Sequence, residues 1–271
     1  MARPDERAPR HRPRKRFGQH FLAPAWAAKL VSAIDPRSDQ TFLEIGPGQG
    51  AITRRLAERA AAVVAVEVDR DLAATLRAAG IERLTVIEGD ILEVDLAGLG
   101  LPSGTRVAGN LPYNISSPIL FQLLDAQDRL NVFADATLML QKEVADRLIA
   151  SPGTKEYGPL SIFTALHARV TRLLTLPPGA FHPPPQVTSA VVRVQFLPAG
   201  RRPDVPAAFE SMIRALFTAR RKTVANGLKA PAGAAGTTPA DALARAGLDP
   251  RRRPEQLSVD QLLDLARALS T

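Results

Sequence analysis

Short apolar runs alternate with amphipathic stretches along the first two thirds of the chain. Thr41–Ile45, Val63–Val68 and Leu84–Ile87 consist mainly of β-branched and other apolar residues, which favours strands. Residues 50–59 and 71–79 lie between them and have the apolar spacing of helices. Strands that are separated by helices are typical of a parallel sheet covered on both faces. We therefore predict an α/β fold for this part of the chain.

The same alternation continues to about residue 196. We predict strands over Arg106–Ala108 and Ala136–Leu140, with a helix after Ser117 between them. Ala190–Phe196 contains the run Val-Val-Arg-Val and predicts a late strand, for which an antiparallel direction stays open.

The pattern changes at the segment Pro198–Pro203, after which helical spacing continues without strands. Helices are predicted over 205–218, 239–247 and 258–269, and the Gly- and Ala-rich stretch 230–238 is predicted to be a loop. We therefore expect a basic N-terminal arm (1–16), an α/β domain (17–198) and a small all-helical C-terminal domain (199–271).

Composition excludes several classes of protein. The chain has 271 residues, of which 45% are hydrophobic, so it can bury a substantial core. It has no Cys and only 4 His, which excludes disulfides, thiolate zinc sites and a cysteine nucleophile, and we expect no metal. No apolar run approaches the roughly 18 residues of a membrane span. We expect a cytoplasmic protein without a membrane partner.

A formal net charge of +8 comes almost wholly from arginine. Guanidinium groups grip phosphates, which suits a nucleic-acid partner, although a GC-rich genome would give the same arginine-rich composition. Basic residues cluster at three places where we expect phosphate contacts. These are the arm with Arg7, Arg10, Arg12, Arg14, Lys15 and Arg16, the segment Arg220–Lys222, and the segment Arg251–Arg253.

A glycine-rich loop and two acids follow three successive predicted strands. Gly46-Pro-Gly-Gln-Gly50 stands between a strand and a helix, where glycines let the backbone approach a ligand. Glu67 comes 21 residues after Gly46, the place of a ribose-binding carboxylate, and Asp90 can accept a hydrogen bond from an adenine amine. The set resembles an S-adenosylmethionine site. Binding of NAD or FAD, and simple turn or helix-capping acids, are the alternatives.

Asn110-Leu-Pro-Tyr113 ends the fourth predicted strand and suits methylation of an exocyclic amine. The lone pair of such a nitrogen is delocalised into the ring. The Asn110 side-chain oxygen and a backbone carbonyl beside Pro112 would accept both N–H groups and favour a pyramidal nitrogen. Tyr113 would stack on the extruded base. Positioning and electrostatics then supply the catalysis without a catalytic base. The alternative is a turn with a packed aromatic.

These motifs are similar to those of the ribosomal RNA adenine dimethyltransferases, which modify two adjacent adenosines near the 3′ end of small-subunit rRNA. The resemblance extends from Lys15 to the C-terminus. Its further motifs are Lys15-Arg-Phe-Gly-Gln-His-Phe-Leu22, Val66-Glu-Val-Asp69, Leu140-Gln-Lys-Glu143, Tyr157-Gly-Pro-Leu-Ser161, Phe181-His-Pro-Pro-Pro185, Ser189-Ala-Val-Val-Arg193 and Phe217-Thr-Ala-Arg-Arg-Lys222. It implies a Rossmann-like methyltransferase fold with a mostly parallel seven-stranded sheet.

The resemblance also implies roles for individual residues. S-adenosylmethionine would contact His20, Leu22, Gly46, Glu67, Asp90 and Asn110. The target adenine would lie between Tyr113 and Phe181, with its amine held by Asn110 and the Leu111–Pro112 backbone. His20 departs from the Asn that often stands at this position, although an imidazole can still make a hydrogen bond near the methionine part of the cofactor.

The implied partner is small-subunit rRNA in a pre-30S particle, bound by a monomer whose helical C-terminal domain (199–271) binds the rRNA. The target would be the 3′-terminal hairpin of 16S rRNA, and a role in small-subunit biogenesis is expected. Two alternatives stay open. One is a large-subunit rRNA methyltransferase of the macrolide-resistance type, which shares the Asn-Leu-Pro-Tyr motif. The other is a non-catalytic rRNA-binding assembly factor.

Overall fold

A seven-stranded sheet forms the centre of the fold in the computed structural model, with strand order β4-β3-β2-β5-β6-β9-β7. The structure describes residue 14, residues 18–218 and residues 220–270. The strands of the sheet are β2 (Thr41–Ile45), β3 (Ala62–Glu67), β4 (Leu84–Glu88), β5 (Thr105–Asn110), β6 (Phe133–Gln141), β7 (Ala168–Leu176) and β9 (Ser189–Phe196). Two further strands, β1 (Phe21–Leu22) and β8 (Phe181–His182), pair antiparallel with each other.

Parallel pairing connects the first five strands of the sheet order. β2 pairs with β3 and with β5, β3 pairs with β4, and β5 pairs with β6, all in parallel. β2 and β5 in the middle of the sheet are buried at nearly every residue, so both faces of the sheet are covered there. The carboxyl ends of β2, β3, β4 and β5 therefore lie along one edge, which is where α/β sheets bind their ligands.

The described residues form eleven α-helices, besides three short 3-10 helices. They are α1 (Pro24–Ile34), α2 (Thr53–Ala57), α3 (Arg70–Ala78), α4 (Ser116–Leu130), α5 (Lys142–Leu148), α6 (Pro159–His167), α7 (Phe209–Thr218), α8 (Val224–Gly227), α9 (Lys229–Ala234), α10 (Pro239–Arg245) and α11 (Val259–Leu269). Their starts follow local chemistry. Asp69 caps α3 by accepting a hydrogen bond from the Asp71 amide, and Ser258 caps α11 with a reciprocal bond to Gln261.

The chain divides into two compact units. The first contains Met1–Lys142 and Arg172–Val194, and part of its core lies between α1, α2 and the sheet. The second contains Glu143–Thr171 and Gln195–Thr271. Its core is formed by α6 and the C-terminal helices, with Tyr157 and Phe209 among its largest fully buried side chains.

The predicted strands and the predicted α/β class are confirmed. The prediction of a loop over 230–238 was wrong in its first half, because α9 occupies Lys229–Ala234. Ala232 is buried in the core of the second unit, and this burial outweighs the low helix propensity of the neighbouring Pro and Gly. The predicted domain limits at 17–198 and 199–271 stay a prediction. The compact units differ from them in grouping Glu143–Thr171 with the C-terminal helices.

Candidate active site

A cleft in the first unit is lined by the carboxyl ends of β2, β3 and β5 and by the segment Gly18–Leu22. Its space, counted with the open mouth, is about 800 Å³. The cavity itself measures only about 100 Å³, below the roughly 300–1,000 Å³ of typical small-molecule sites, so most of this space is open to solvent. Eight of the ten predicted site residues line it, namely His20, Leu22, Gly46, Glu67, Asn110, Leu111, Pro112 and Tyr113.

The glycine-rich loop after β2 forms the floor of this cleft. Gly46 and Gly48 have φ of +66° and +58°, a conformation that side chains disfavour. A Cβ on Gly48 would also lie 3.3 Å from the Phe21 ring. The Gly46 amide donates to the carbonyl of Val66 at 2.9 Å, so the loop stays attached to the neighbouring strand. Glycine is therefore needed at these positions, because the backbone has a positive φ and because the Phe21 ring lies close to Gly48.

Glu67 ends β3 and presents its carboxylate to the loop. Oε2 accepts a hydrogen bond from the Gly48 amide at 2.9 Å, and Oε1 accepts one from the Asp69 amide at 2.9 Å. Burial raises the pKa of Glu67 above 4.5, and the two backbone donors oppose that shift because they favour the charged form. A carboxylate offers about four acceptor positions, so this group keeps capacity for two further donors.

Asp90 lies beyond the end of β4, and the structure does not place it among the residues that line the cleft. The register of β3 and β4 pairs Glu67 with Glu88, two positions before Asp90. Oδ1 of Asp90 accepts from the Leu92 amide at 3.0 Å, so the residue also stabilises the turn that follows the strand. Its contact with a cofactor stays a prediction.

Asn110 is the last residue of β5, and its amide has a fixed orientation. Its Nδ2 donates to the backbone carbonyl of His20 at 2.9 Å, which leaves Oδ1 as the group able to accept. The Pro112 carbonyl already accepts from the Ile115 amide at 3.1 Å. Within the part of the chain that the structure describes, no such bond reaches the Leu111 carbonyl. Of the two backbone acceptors of Leu111–Pro112, the Leu111 oxygen is therefore the one left for a ligand.

Tyr113 and His20 form a stacked pair at the cleft. Their ring centroids are 5.8 Å apart with an interplanar angle of 21°. The Tyr113 hydroxyl shares a 2.6 Å hydrogen bond with the buried Ser189. Burial raises the pKa of Tyr113, and the bond to Ser189 offsets part of the shift. Tyr113 is therefore anchored at its hydroxyl end and presents the ring to the cleft.

The His20 ring is held by a second contact. Its Nδ1 lies 2.8 Å from the Pro183 carbonyl oxygen, and a carbonyl can only accept, so Nδ1 carries the proton. In the neutral ring Nε2 is then the acceptor. Ser189 and Pro183 were not among the predicted site residues, although both belong to motifs visible in the sequence.

Phe181 differs from its expected placement. The Pro-rich stretch after it suggested a projecting aromatic, but only 4% of Phe181 is exposed. Its backbone pairs with Leu22 in the short β1–β8 ladder, and its side chain packs into the core of the first unit. It does not line the cleft in this structure. Stacking of an adenine on Phe181 stays a prediction, and it requires the ring to turn out of the core.

Across residues 18–218 and 220–270 and at residue 14, no group of three or more His, Cys, Asp or Glu could hold a metal ion. No helix in the same part of the chain is long and apolar enough to cross a membrane.

The parallel sheet, the glycine-rich loop and the strand-end residues Glu67 and Asn110 define a Rossmann-like methyltransferase fold. A family model described as "Ribosomal RNA adenine dimethylase" matches residues 10–270. The chain belongs to this family.

Named relatives agree with this assignment. "Ribosomal RNA small subunit methyltransferase A" of Geobacter metallireducens is 46% identical over 269 residues, covering 95% of this chain and 96% of the relative. The protein of the same name from Bordetella pertussis is 47% identical over 262 residues, covering 96% of this chain and 95% of the relative.

Two solved structures are similar over nearly the whole chain. One is a dimethyladenosine transferase from Plasmodium falciparum, with a TM-score of 0.76, 26% identity and coverage of 91% of this chain and 96% of that one. The other is the 23S rRNA methyltransferase ErmE, with a TM-score of 0.67, 27% identity and coverage of 93% and 100%.

Proposed function

We propose that this protein transfers methyl groups from S-adenosylmethionine to the N6 amino groups of two adjacent adenosines in the 3′-terminal hairpin of small-subunit rRNA. The observation that carries the proposal is the orientation of Asn110. Its amide nitrogen is committed to the His20 carbonyl, so its oxygen is left to accept from a substrate amine. This acceptor stands beside a glycine-rich loop and a buried carboxylate that suit a nucleoside cofactor.

The residues present fit S-adenosylmethionine. Glu67 keeps acceptor capacity for the two ribose hydroxyls after its bonds to Gly48 and Asp69. Pro47 removes one loop N–H, which suits an uncharged nucleoside better than a pyrophosphate. Gly46, His20 and Leu22 line the same cleft and would contact the rest of the molecule. When bound, this cofactor supplies an activated methyl group on a sulfonium.

Asn110 and Leu111 would hold the target amine by its two hydrogens. The Asn110 Oδ1 and the Leu111 carbonyl accept one N–H each, which draws the nitrogen lone pair out of conjugation with the ring. Tyr113 supplies a stacking face whose position is fixed by Ser189. Because both acceptors are held before the substrate arrives, little reorganisation is needed during the reaction.

The base has to compete with His20 for the face of Tyr113. His20 already stacks on this ring at 5.8 Å, so entry of an adenine requires the two rings to separate or the base to use the opposite face. Phe181 would supply the second platform only after leaving the core. Tyr113 is therefore the stronger of the two predicted stacking residues.

Some basic side chains of the second unit are bonded to backbone carbonyls, and others are exposed to solvent. Arg220 donates to the Lys155 carbonyl at 2.5 Å, and Arg252 donates to the Gln256 carbonyl, so both guanidiniums stabilise their own unit. Arg221 and Lys222 are exposed. We assign phosphate contacts to these two and to the exposed Arg251 and Arg253, within the helical region 199–271. Except for Arg14, the predicted arm contacts lie outside the described residues.

Small-subunit rRNA is preferred over the large-subunit alternative because the relatives with 46% and 47% identity carry the small-subunit name. ErmE, which is named for 23S rRNA, is only 27% identical. The intact site argues against a non-catalytic assembly factor, but not against a second role in small-subunit biogenesis. We infer that the protein acts as a monomer on a pre-30S particle in the cytoplasm.

The test offers labelled S-adenosylmethionine with unmodified small and large ribosomal particles in separate reactions. We expect label on the small-subunit rRNA alone. Label on the large particle would support the macrolide-resistance alternative, and label on neither particle would contradict the enzymatic proposal.

A further inference from the structure

Arg14 is the one described residue of the N-terminal arm ahead of Gly18, and its guanidinium lies against two carboxylates. Nη1 donates to Oδ1 of Asp69 at 2.9 Å, and Nη2 forms an ion pair with Oδ2 of Asp71. The side chain of Asp69 is fully buried, and that of Arg14 is 35% exposed. A charge-assisted bond to a buried carboxylate is stronger than a surface ion pair, because less solvent screens it.

Asp69 connects Arg14 to both walls of the cleft. On one side, the Asp69 amide donates to Oε1 of Glu67 at 2.9 Å, and Glu67 in turn accepts from Gly48. On the other side, Oδ2 of Asp69 accepts from Nε2 of Gln19 at 2.8 Å. Gln19 lines the cleft in the same segment as His20.

A further bond closes the network into a ring. The Arg14 backbone amide donates to Oε1 of Gln19 at 2.8 Å. Arg14, Gln19 and Asp69 are thus each bonded to the other two. Asp69 also caps α3 through the Asp71 amide, so the ring is attached to a helix that packs on the sheet. Two of the five guanidinium N–H donors of Arg14 and its backbone amide are thus bonded within the protein.

We propose that Arg14 is a positioning residue for the cofactor cleft and not one of the phosphate contacts of the arm. It holds the segment Gly18–Leu22 against the strand end that carries Glu67, so cofactor affinity depends on it. This inference rests on the proposed use of the cleft for S-adenosylmethionine. Under this proposal the rRNA contacts of the arm fall to its other basic residues.

The test is calorimetric titration of the full-length protein with S-adenosylhomocysteine, which reports binding without turnover. For Arg14→Ala we expect a Kd about tenfold higher than wild type, which corresponds to about 1.4 kcal/mol. Arg14→Lys keeps the charge, but a lysine has no planar fork that bonds both carboxylates. Its Kd for S-adenosylhomocysteine should therefore lie between those of wild type and Arg14→Ala. Higher salt should reduce the differences in Kd between wild type and the two variants, since Arg14 is partly exposed and its ion pairs are screened.

Arg129→Ala is the matched control. It removes an arginine of the same unit from an exposed ion pair with Asp125 at 2.8 Å, and we expect a wild-type Kd. Thermal unfolding followed by the fluorescence of Trp26, the sole tryptophan, separates positioning from stability. We expect the Tm of Arg14→Ala to fall by about 2–4 °C, because Asp69 loses its charged partner but keeps the donors of Gln19 and the Asp71 amide.

Two failures can be told apart. If wild-type protein does not bind S-adenosylhomocysteine, the proposed function fails. If wild type binds and Arg14→Ala has the same Kd, the role of Arg14 is overturned while the proposed function stands. A Kd that rises only in proportion to a lowered Tm would also overturn the positioning role.

Discussion

Replacing Glu44 by Gln should make the stability of the first unit less dependent on pH. Glu44 is the fourth residue of β2 and is 1% exposed. Its Oε2 has no hydrogen-bond partner in the part of the chain that the structure describes. Burial, only partly opposed by the nearby Thr53 hydroxyl, raises the pKa of Glu44 to about 8. The folded protein therefore keeps this proton at neutral pH.

The sign of the effect follows from proton linkage. Above pH 4.5 the unfolded chain releases the proton, while the folded chain keeps it until about pH 8. The unfolding free energy therefore falls as pH rises between these values. Its slope is about 1.36 kcal/mol per pH unit where the two states differ by one full proton. Between pH 5.5 and 7.5 the expected loss from Glu44 alone is about 2.5 kcal/mol.

Glu44→Gln removes this proton equilibrium and keeps the shape of the side chain. The assay is urea unfolding at several pH values, followed by the fluorescence of Trp26, which packs against the core of the first unit. Other groups titrate equally in both proteins, so the difference between the two profiles isolates Glu44. The exposed Glu58→Gln is the matched control and should follow wild type. Parallel profiles for wild type and Glu44→Gln from pH 5.5 to 7.5 would refute the reasoning.

Three further predictions concern the substrate amine, the core and the rRNA surface. Asn110→Ala should lower methyl transfer at least ~100-fold, as loss of one preorganised polar contact does elsewhere, and should preserve part of the cofactor binding measured by calorimetry. Arg106→Ala removes a buried guanidinium that bonds both Asp135 oxygens at 2.8 and 2.9 Å. It should cost about 3 kcal/mol in urea unfolding, and wild-type stability would contradict this reading. Arg221→Ala should weaken particle binding and lower its logarithmic salt slope by about 1 without changing stability, whereas Arg220→Ala should lower stability.

The order of strands along the first half of the chain was predictable because each strand is a short apolar run. Thr41–Ile45 and Val63–Val68 were placed within one residue of β2 and β3. Their ends then located Gly46 and Glu67 at the cleft, since parallel strands bring their carboxyl ends to one edge. The local sequence pattern was therefore sufficient to predict a strand wherever the apolar residues of that strand are also the ones buried in the sheet.

Features that depend on tertiary partners were not predictable in the same way. β7 (Ala168–Leu176) has only its two end residues buried, so no apolar run marked it as a strand. Phe181 was expected to project, because its proline neighbours are visible in the sequence and its pairing with Leu22 is not. The residues around Arg14 are basic residues and prolines, as elsewhere in the arm, so the sequence does not distinguish Arg14 from the other arginines. Only the placement of Asp69 and Asp71 shows that its charge is used inside the protein.

The most direct test of the central claim is nucleoside mapping of small-subunit rRNA after reaction of unmodified particles with the wild-type protein and S-adenosylmethionine. Mass spectrometry of fragments from the 3′-terminal hairpin should show two adjacent N6,N6-dimethyladenosines, and a parallel reaction with Asn110→Ala should show neither. Methyl groups at another position or on another atom, or wild-type yield from Asn110→Ala, would contradict the assignment of this cleft to adenine N6 dimethylation.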